Sequence, residues 1–270
     1  MKPYYKTDNG QLFCFDNVKY LNTVNDNTFD LTVTSPPYDN LRDYKGYSWD
    51  FETLAKELYR TTKEGGVVVW VVGDATINGS ETGSSFKQAL YFMECGFNLH
   101  DTMIYEKSSF SNPSNNRYHQ TFEYMFVFSK NIPKIFNAIK DRKNTYRNSG
   151  KATRKKDGSM DKIGERIYYG EKGMRFNVWR YPTGKGISTK DAIAYNHPAI
   201  FPEDLARDHI VSWSNENDLV FDPFMGSGTT AKMAERSNRR WIGCEISKEY
   251  CEITKSRLET ERTQLKMSFT

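Results

Sequence analysis

Cysteine and histidine are both scarce, at four residues each in 270. Cys14, Cys95, Cys244 and Cys251 form no Cys-x-x-Cys pair, so neither a disulfide framework nor a zinc site is expected and the four read as core or surface thiols. No apolar stretch approaches a membrane span, and the opening residues Met1 to Lys6 carry no hydrophobic signal region, so a cytoplasmic location is expected. No lysine follows the glycine-rich turn at 226–228, which excludes a Walker phosphate loop. The hydrophobic and charged fractions, 37% and 27%, are those of a soluble globular chain, long enough for one α/β core with an insertion.

Against nine prolines in all, two stand side by side in Thr34-Ser35-Pro36-Pro37-Tyr38, directly after the apolar run Phe29 to Val33. Two consecutive prolines fix φ near −65° and remove both backbone donors, so the chain leaves the strand as a rigid spur with its carbonyls turned outward. A serine hydroxyl, those carbonyls and a tyrosine ring can together hold an amino group flat against an aromatic face. A plain strand-terminating turn is the other reading of the same residues.

A second motif, Leu219 to Ala231, runs an apolar strand into Asp222-Pro223-Phe224-Met225-Gly226-Ser227-Gly228-Thr229-Thr230 and a helix starting near Thr229. Glycines there let the backbone approach a ligand, and the helix start offers unpaired N–H groups. Glu245, at the end of the next apolar run, stands where a ribose-binding acid belongs, as in a dinucleotide fingerprint. Asp222 argues against a pyrophosphate, which it would repel, and for a ligand carrying an ammonium group.

The remaining pattern alternates strands and helices. Strands are expected at 11–16, 29–33, 67–72, 99–105 and 122–128, with helices at 18–24, 51–62 and 84–95. The continuous apolar run Val67 to Val72, entered through Gly65-Gly66, predicts a central parallel strand buried on both faces, and the alternation predicts a doubly wound sheet. Residues 130–195 interrupt this order with 17 Lys/Arg against 6 Asp/Glu, a net +11 that leaves −7 on the rest of the chain. Arg142, Lys143, Arg147, Lys151, Arg154, Lys155 and Lys156 alternate there with Tyr146, Tyr168, Tyr169, Phe176 and Trp179, a mixture suited to phosphate contacts and stacking. Its glycines also allow a solvated, partly disordered loop.

Together the two motifs resemble those of the DNA amino-methyltransferases that use S-adenosylmethionine, in the permuted subgroup where Ser/Asp-Pro-Pro-Tyr precedes the cofactor glycines. His197-Pro198-Ala199-Ile200-Phe201-Pro202 is similar to the family's cofactor motif ahead of the glycine loop, and Phe122 to Lys130 to its last core strand. The resemblance covers nearly all of the chain except the middle section. It implies a Rossmann-like α/β fold with a doubly wound mixed sheet and circularly permuted motif order. The implied division is a catalytic half at 1–130, a basic target-recognition insertion at 131–195 and a cofactor-binding half at 196–270.

The resemblance also implies residue roles. Ser35, Pro36, Pro37 and Tyr38 would carry catalysis. Asp222 would hold the cofactor's amino group, Gly226 and Gly228 would admit its methionine part, and Glu245 would take the ribose hydroxyls. Thr34, His197, Phe201, Pro223, Phe224, Ser227, Thr229 and Thr230 complete the implied cofactor site. Asp16 corresponds to the contact with the adenine amine, although a helix N-cap before Val18 explains it equally. Phe201 and Phe224 serve as pocket walls or as core. The seven basic residues named above would bind DNA, and the stretch from Tyr38 to Trp49 would close over it as a loop.

The implied reaction moves a methyl group from S-adenosylmethionine to the N4 amine of a cytosine flipped out of duplex DNA, in a restriction-modification or epigenetic role. Serine at position 35 accompanies cytosine N4 methylation in the family, and aspartate adenine N6 methylation, so N6 is the alternative. An RNA methyltransferase and a non-catalytic DNA-binding protein stand further off. No Pro-Cys dipeptide occurs, and methylation at cytosine carbon 5 would need such a nucleophile. Double-stranded DNA is the expected partner, with a homodimer and a cognate restriction endonuclease as further ones; no metal and no membrane enter.

Overall fold

Alternating apolar strands and amphipathic helices assemble into a nine-stranded mixed sheet in the computed structural model, which describes residues 1–37, 49–110, 113, 115–144, 153–161 and 170–268. The strands are β1 (Tyr5–Lys6), β2 (Gly10–Cys14), β3 (Phe29–Thr34), β4 (Thr62–Val72), β5 (Asn98–Lys107), β6 (Phe122–Ser129), β7 (Val178–Tyr181), β8 (Leu219–Asp222) and β9 (Arg240–Glu245). Their spatial order is β1-β2-β9-β8-β3-β4-β6-β5-β7. From β2 through β4 all pairings are parallel; β6 runs antiparallel to both β4 and β5, and β7 returns parallel to β5. The carboxyl ends of β2, β9, β8, β3, β4 and β5 therefore share one edge of the sheet, where an open α/β sheet places its ligands.

The helices are α1 (Asn17–Leu21), α2 (Phe51–Thr61), α3 (Ser84–Glu94), α4 (Glu203–Trp213), α5 (Thr229–Arg236) and α6 (Lys248–Ser268). Local signals start them: Asp16 caps α1 by accepting from Lys19 N at 2.8 Å, and Asp50 caps α2 through Thr53 N at 3.1 Å. Aromatic side chains fill the layer between α2, α3 and the sheet. Trp70 meets Phe92 at 5.0 Å, Phe92 stacks on Phe128 at 4.7 Å, and Phe29 stacks on Phe221 at 4.3 Å. Each is buried, and burial of such a side chain contributes about 1.5–3 kcal/mol.

The Val67–Val72 run does form a buried inner strand, but it is parallel to β3 on one side and antiparallel to β6 on the other. The strand also begins at Thr62, directly after α2, so Gly65-Gly66 lies within it rather than ahead of it. Gly65 has φ +75°, and the pairing with β3 shifts register between Phe29 and Leu31, so the glycines absorb an irregularity of the ladder.

The chain divides into two compact units, residues 138–176 and the remainder, 1–137 with 177–270. The smaller unit spans part of the basic stretch at 130–195. Residues 178–181 instead form β7 of the main sheet, and Ala192–Asn196 a 3₁₀ turn behind the glycine loop. No helix among the described residues is long and apolar enough to cross a membrane.

Candidate active site

The spur and the glycine turn meet at the carboxyl edge of the sheet. A cavity of about 400 Å³ lies there, lined by Asp16, Ser35, Pro37, His197, Phe201, Pro223, Phe224, Gly226, Ser227, Thr229 and Glu245 among the predicted residues. Widely separated parts of the sequence are thus brought to one surface, Ser35 and Pro37 from the end of β3 and the others from the ends of β2, β8 and β9 and the segment before α4. Thr34, Asp222, Gly228 and Thr230 stand behind this wall, and Pro36 joins Ser35 and Pro37, which are on it. Tyr38 and residues 39–48 of the expected closing loop fall outside the described residues, as do Arg147 and Lys151, whereas Trp49 at the end of that loop lines the cavity.

The glycine turn is held in place from several sides. Gly226 N donates to Glu245 Oε2 at 2.8 Å, Thr254 Oγ1 donates to Gly226 O at 2.9 Å, and Arg257 Nη1 donates to Ser227 O at 2.6 Å. Gly226 (φ +51°) and Gly228 (φ +81°) both occupy the left-handed region. A Cβ on Gly226 would come within 2.9 Å of His197 Nε2, so glycine keeps the loop open against that ring. His197 is itself fixed: Ala199 N donates to its Nδ1 at 3.2 Å, and its ring lies edge-on to Tyr250 at 4.3 Å. The Nδ1 of His197 is an acceptor, which supports a positioning role over proton transfer.

Two carboxylates serve this loop differently. Glu245 lines the cavity; burial pushes its pKa up, opposed by hydrogen bonds from Ser247 N and Gly226 N. Asp222 is only 1% exposed, and its Oδ1 accepts from Thr34 Oγ1 at 2.7 Å and Phe224 N at 2.9 Å. Its carboxylate therefore ties the base of the spur to the start of the glycine turn, and it is not among the cavity-lining residues. Asp16 caps α1 and lines the cavity as well, so its capping role leaves it on the cavity wall.

Burial lifts the pKa of Asp222 to about 6, against the opposing hydrogen bond from Thr34. A raised carboxyl pKa means that the folded state holds the proton more tightly than the unfolded one. Its stabilising contribution is complete below the unfolded value near 4 and is lost as pH rises through about 6, a cost of roughly 3 kcal/mol at neutral pH. Asp222→Asn retains an Oδ1 acceptor for Thr34 and Phe224 without the charge. Urea midpoints of this variant should change less between pH 4 and pH 7 than those of the wild type; an identical pH dependence would show that Asp222 does not titrate in this window.

Several site residues carried no usable sequence signal. Asn17 Nδ2 donates to Pro223 O at 3.1 Å and joins α1 to the turn. Tyr105, Lys107 and Glu123 line the cavity from β5 and β6. Behind the turn, buried Lys232 and Arg257 contact Asp191 at 2.7 and 2.9 Å and Glu203 at 2.9 and 2.6 Å. Burial works against ionisation of Asp191, yet hydrogen bonds from Lys232 and Arg257 outweigh it and hold its pKa below the ordinary value.

The smaller unit is described by itself. Residues Arg142–Lys143 pair with Lys172–Gly173, and Thr153–Arg154 with Met160–Asp161. Arg142 is half-buried, its guanidinium 4.4 Å from the Phe176 ring centre and its Nε donating to Met174 O at 3.0 Å. Lys143, Arg154, Lys155 and Lys156 are exposed, the last three at a hairpin closed by Lys155 N to Ser159 O at 2.8 Å.

This edge cavity, with its proline spur and glycine turn, is that of a Rossmann-like methyltransferase. Two solved structures share the fold: PvuII DNA methyltransferase (cytosine-N4-specific), with TM-score 0.67 and 23% identity over 94% of this chain and 87% of that one, and the putative DNA modification methylase TTHA0409 of Thermus thermophilus complexed with S-adenosyl-L-methionine, with TM-score 0.62 and 23% identity over 93% of each. Residues 29–256 match the N6/N4 DNA methylase family, and the chain belongs to that family. It is 64% identical to the orphan methyltransferase M.BamHII of Bacillus amyloliquefaciens over 87% of this chain and 91% of the relative. It is 26% identical to the Type II methyltransferase M.ScaI of Streptomyces caespitosus over 98% and 86%.

The activity is therefore transfer of a methyl group to an amine of a DNA base, with S-adenosylmethionine as cofactor. The donor set fits that cofactor: the carboxylates of Asp16 and Glu245 and the aromatic side chains of Phe201 and Phe224 line the cavity, and Gly226 leaves free the space that a Cβ would take.

Proposed function

We propose that the acceptor is the N4 amine of a cytosine flipped out of duplex DNA. The observation that carries this reading is Ser35, half-buried on the cavity wall at the tip of β3, where a hydroxyl rather than a carboxylate faces the acceptor. Bound S-adenosylmethionine supplies an electrophilic methyl group on a sulfonium. The protein's contribution is alignment, for which well-oriented systems gain roughly 7–11 kcal/mol. Glu245 accepts from the ribose hydroxyls, Asp16 from the adenine amine, and Phe224 and Phe201 wall the pocket. Asp222 keeps the turn and spur in register and adds negative charge behind the site of an ammonium group.

Ser35 Oγ and Pro36 O accept from the exocyclic amine and turn its lone pair away from the ring. The amine proton becomes acidic only as nitrogen gains positive charge, so no base with a matched pKa is required before attack. Tyr38 would stack on the flipped base, worth roughly 1–3 kcal/mol, and recover part of the few kcal/mol that flipping costs. Lys143, Arg154, Lys155 and Lys156 contribute phosphate contacts.

The protein works in the cytoplasm of a prokaryotic cell, where its DNA substrate resides. A homodimer and a cognate restriction endonuclease belong to the same proposal. Transfer of labelled methyl groups to duplex DNA, challenged with unlabelled RNA, tests the substrate class. Label on DNA that RNA does not compete away is the expected result, whereas preferential labelling of RNA would overturn it.

A further inference from the structure

Tyr105 lines the cavity from β5, is 2% exposed, and its hydroxyl, itself buried, has no hydrogen-bond partner among the described residues. A buried hydroxyl left unpaired is unfavourable, so the position calls for a polar group supplied from outside the chain. Its ring is steadied by Tyr181, 6.1 Å away on β7. Glu123 lies directly across the β5–β6 ladder from it and pairs with Lys107 at 2.8 Å. The cavity wall here thus presents an unengaged phenol beside a neutralised ion pair.

Sheet order decides which ligand this phenol faces. The strands leading to Asp16, Glu245 and Asp222 lie on one side of β3, and β5 lies on the other, beyond β4 and β6. Ser35, at the end of β3, stands between the two groups. Cofactor contacts gather on the first side, so a polar group meeting Tyr105 belongs to the acceptor. Burial raises the phenol's pKa, so it remains a protonated donor at neutral pH.

We propose that Tyr105 is a specificity-determining residue whose hydroxyl donates to the ring nitrogen beside the target amine, N3 of the flipped cytosine. The inference rests on the cytosine reading above. Ser35 and Pro36 accept from the amine while Tyr105 donates to its neighbour, so the base is gripped at two adjacent atoms of opposite hydrogen-bonding character. A site built this way discriminates strongly against a base lacking the acceptor atom, because the phenol is then buried and unpaired.

The test is a cycle between Tyr105→Phe and a duplex carrying 3-deazacytosine at the mapped target, read by single-turnover methylation, with calorimetry for S-adenosylmethionine. On cytosine the variant should be slower by about 10- to 100-fold. On 3-deazacytosine the two proteins should react at equal rates, and their cofactor affinities should agree within about twofold. Equal losses on both bases, or a matching fall in cofactor affinity, would overturn the assignment of Tyr105. If the wild type methylates adenine, the cytosine reading fails and the same cycle applies to N1 with 1-deazaadenine. A wild type that modifies no DNA base overturns both.

Discussion

Arg257→Leu is expected to lower folding stability by about 3–5 kcal/mol and to weaken S-adenosylmethionine binding together with it. Arg257 is fully buried on α6, donates from Nη1 to Ser227 O in the glycine turn, and pairs through Nε with Asp191 and Nη2 with Glu203. Leucine leaves two half-buried carboxylates sharing Lys232 and strips a donor from the turn's carbonyl. Urea denaturation with calorimetry measures both effects. A variant as stable as the wild type, with unchanged cofactor affinity, would show that the turn keeps its shape without this network.

Nothing in the residues around Arg257 announces that role. A lone arginine in a charged C-terminal helix reads as a solvated residue, and its partners lie 66 and 54 positions earlier, brought together only by packing of α6 against the 3₁₀ turn and the start of α4. Ser35, Asp222 and Glu245 were legible because each ends an apolar run, where a strand's carboxyl end meets ligand. The same logic did not separate Asp222, which points behind the loop, from Glu245, which faces the cavity. Side-chain direction at the last residue of a strand depends on the turn that follows.

Tyr105 illustrates a different limit. In sequence it is one aromatic among many in a half-buried strand, and its meaning arises from a missing hydrogen bond that only the fold reveals. The boundary of the basic unit moved inward for a related reason. Val178 to Tyr181 lies within a stretch of net positive charge, yet its pairing with Ile104 to Lys107 makes it part of the main sheet.

Ser35→Ala should reduce methyl transfer by about 10²-fold while leaving S-adenosylmethionine affinity within about twofold. The estimate follows the loss of one preorganised hydrogen-bonding group aimed at the reacting atom. Ser35 lies on the cavity wall beside Pro37, and the buried Thr34 before it is anchored to Asp222 at 2.7 Å, so removing one oxygen should leave the spur in place. Single-turnover rates and calorimetry on the same preparation separate the two quantities. A parallel fall in cofactor affinity would put Ser35 in the cofactor site and contradict its role toward the base.

The central claim is that this site methylates a cytosine amine. Purified protein is incubated with unmethylated genomic DNA and methyl-labelled S-adenosylmethionine, and the DNA is then digested to nucleosides for mass spectrometry. Labelled N4-methylcytosine is the predicted product; labelled N6-methyladenine in its place would contradict the use made of Ser35.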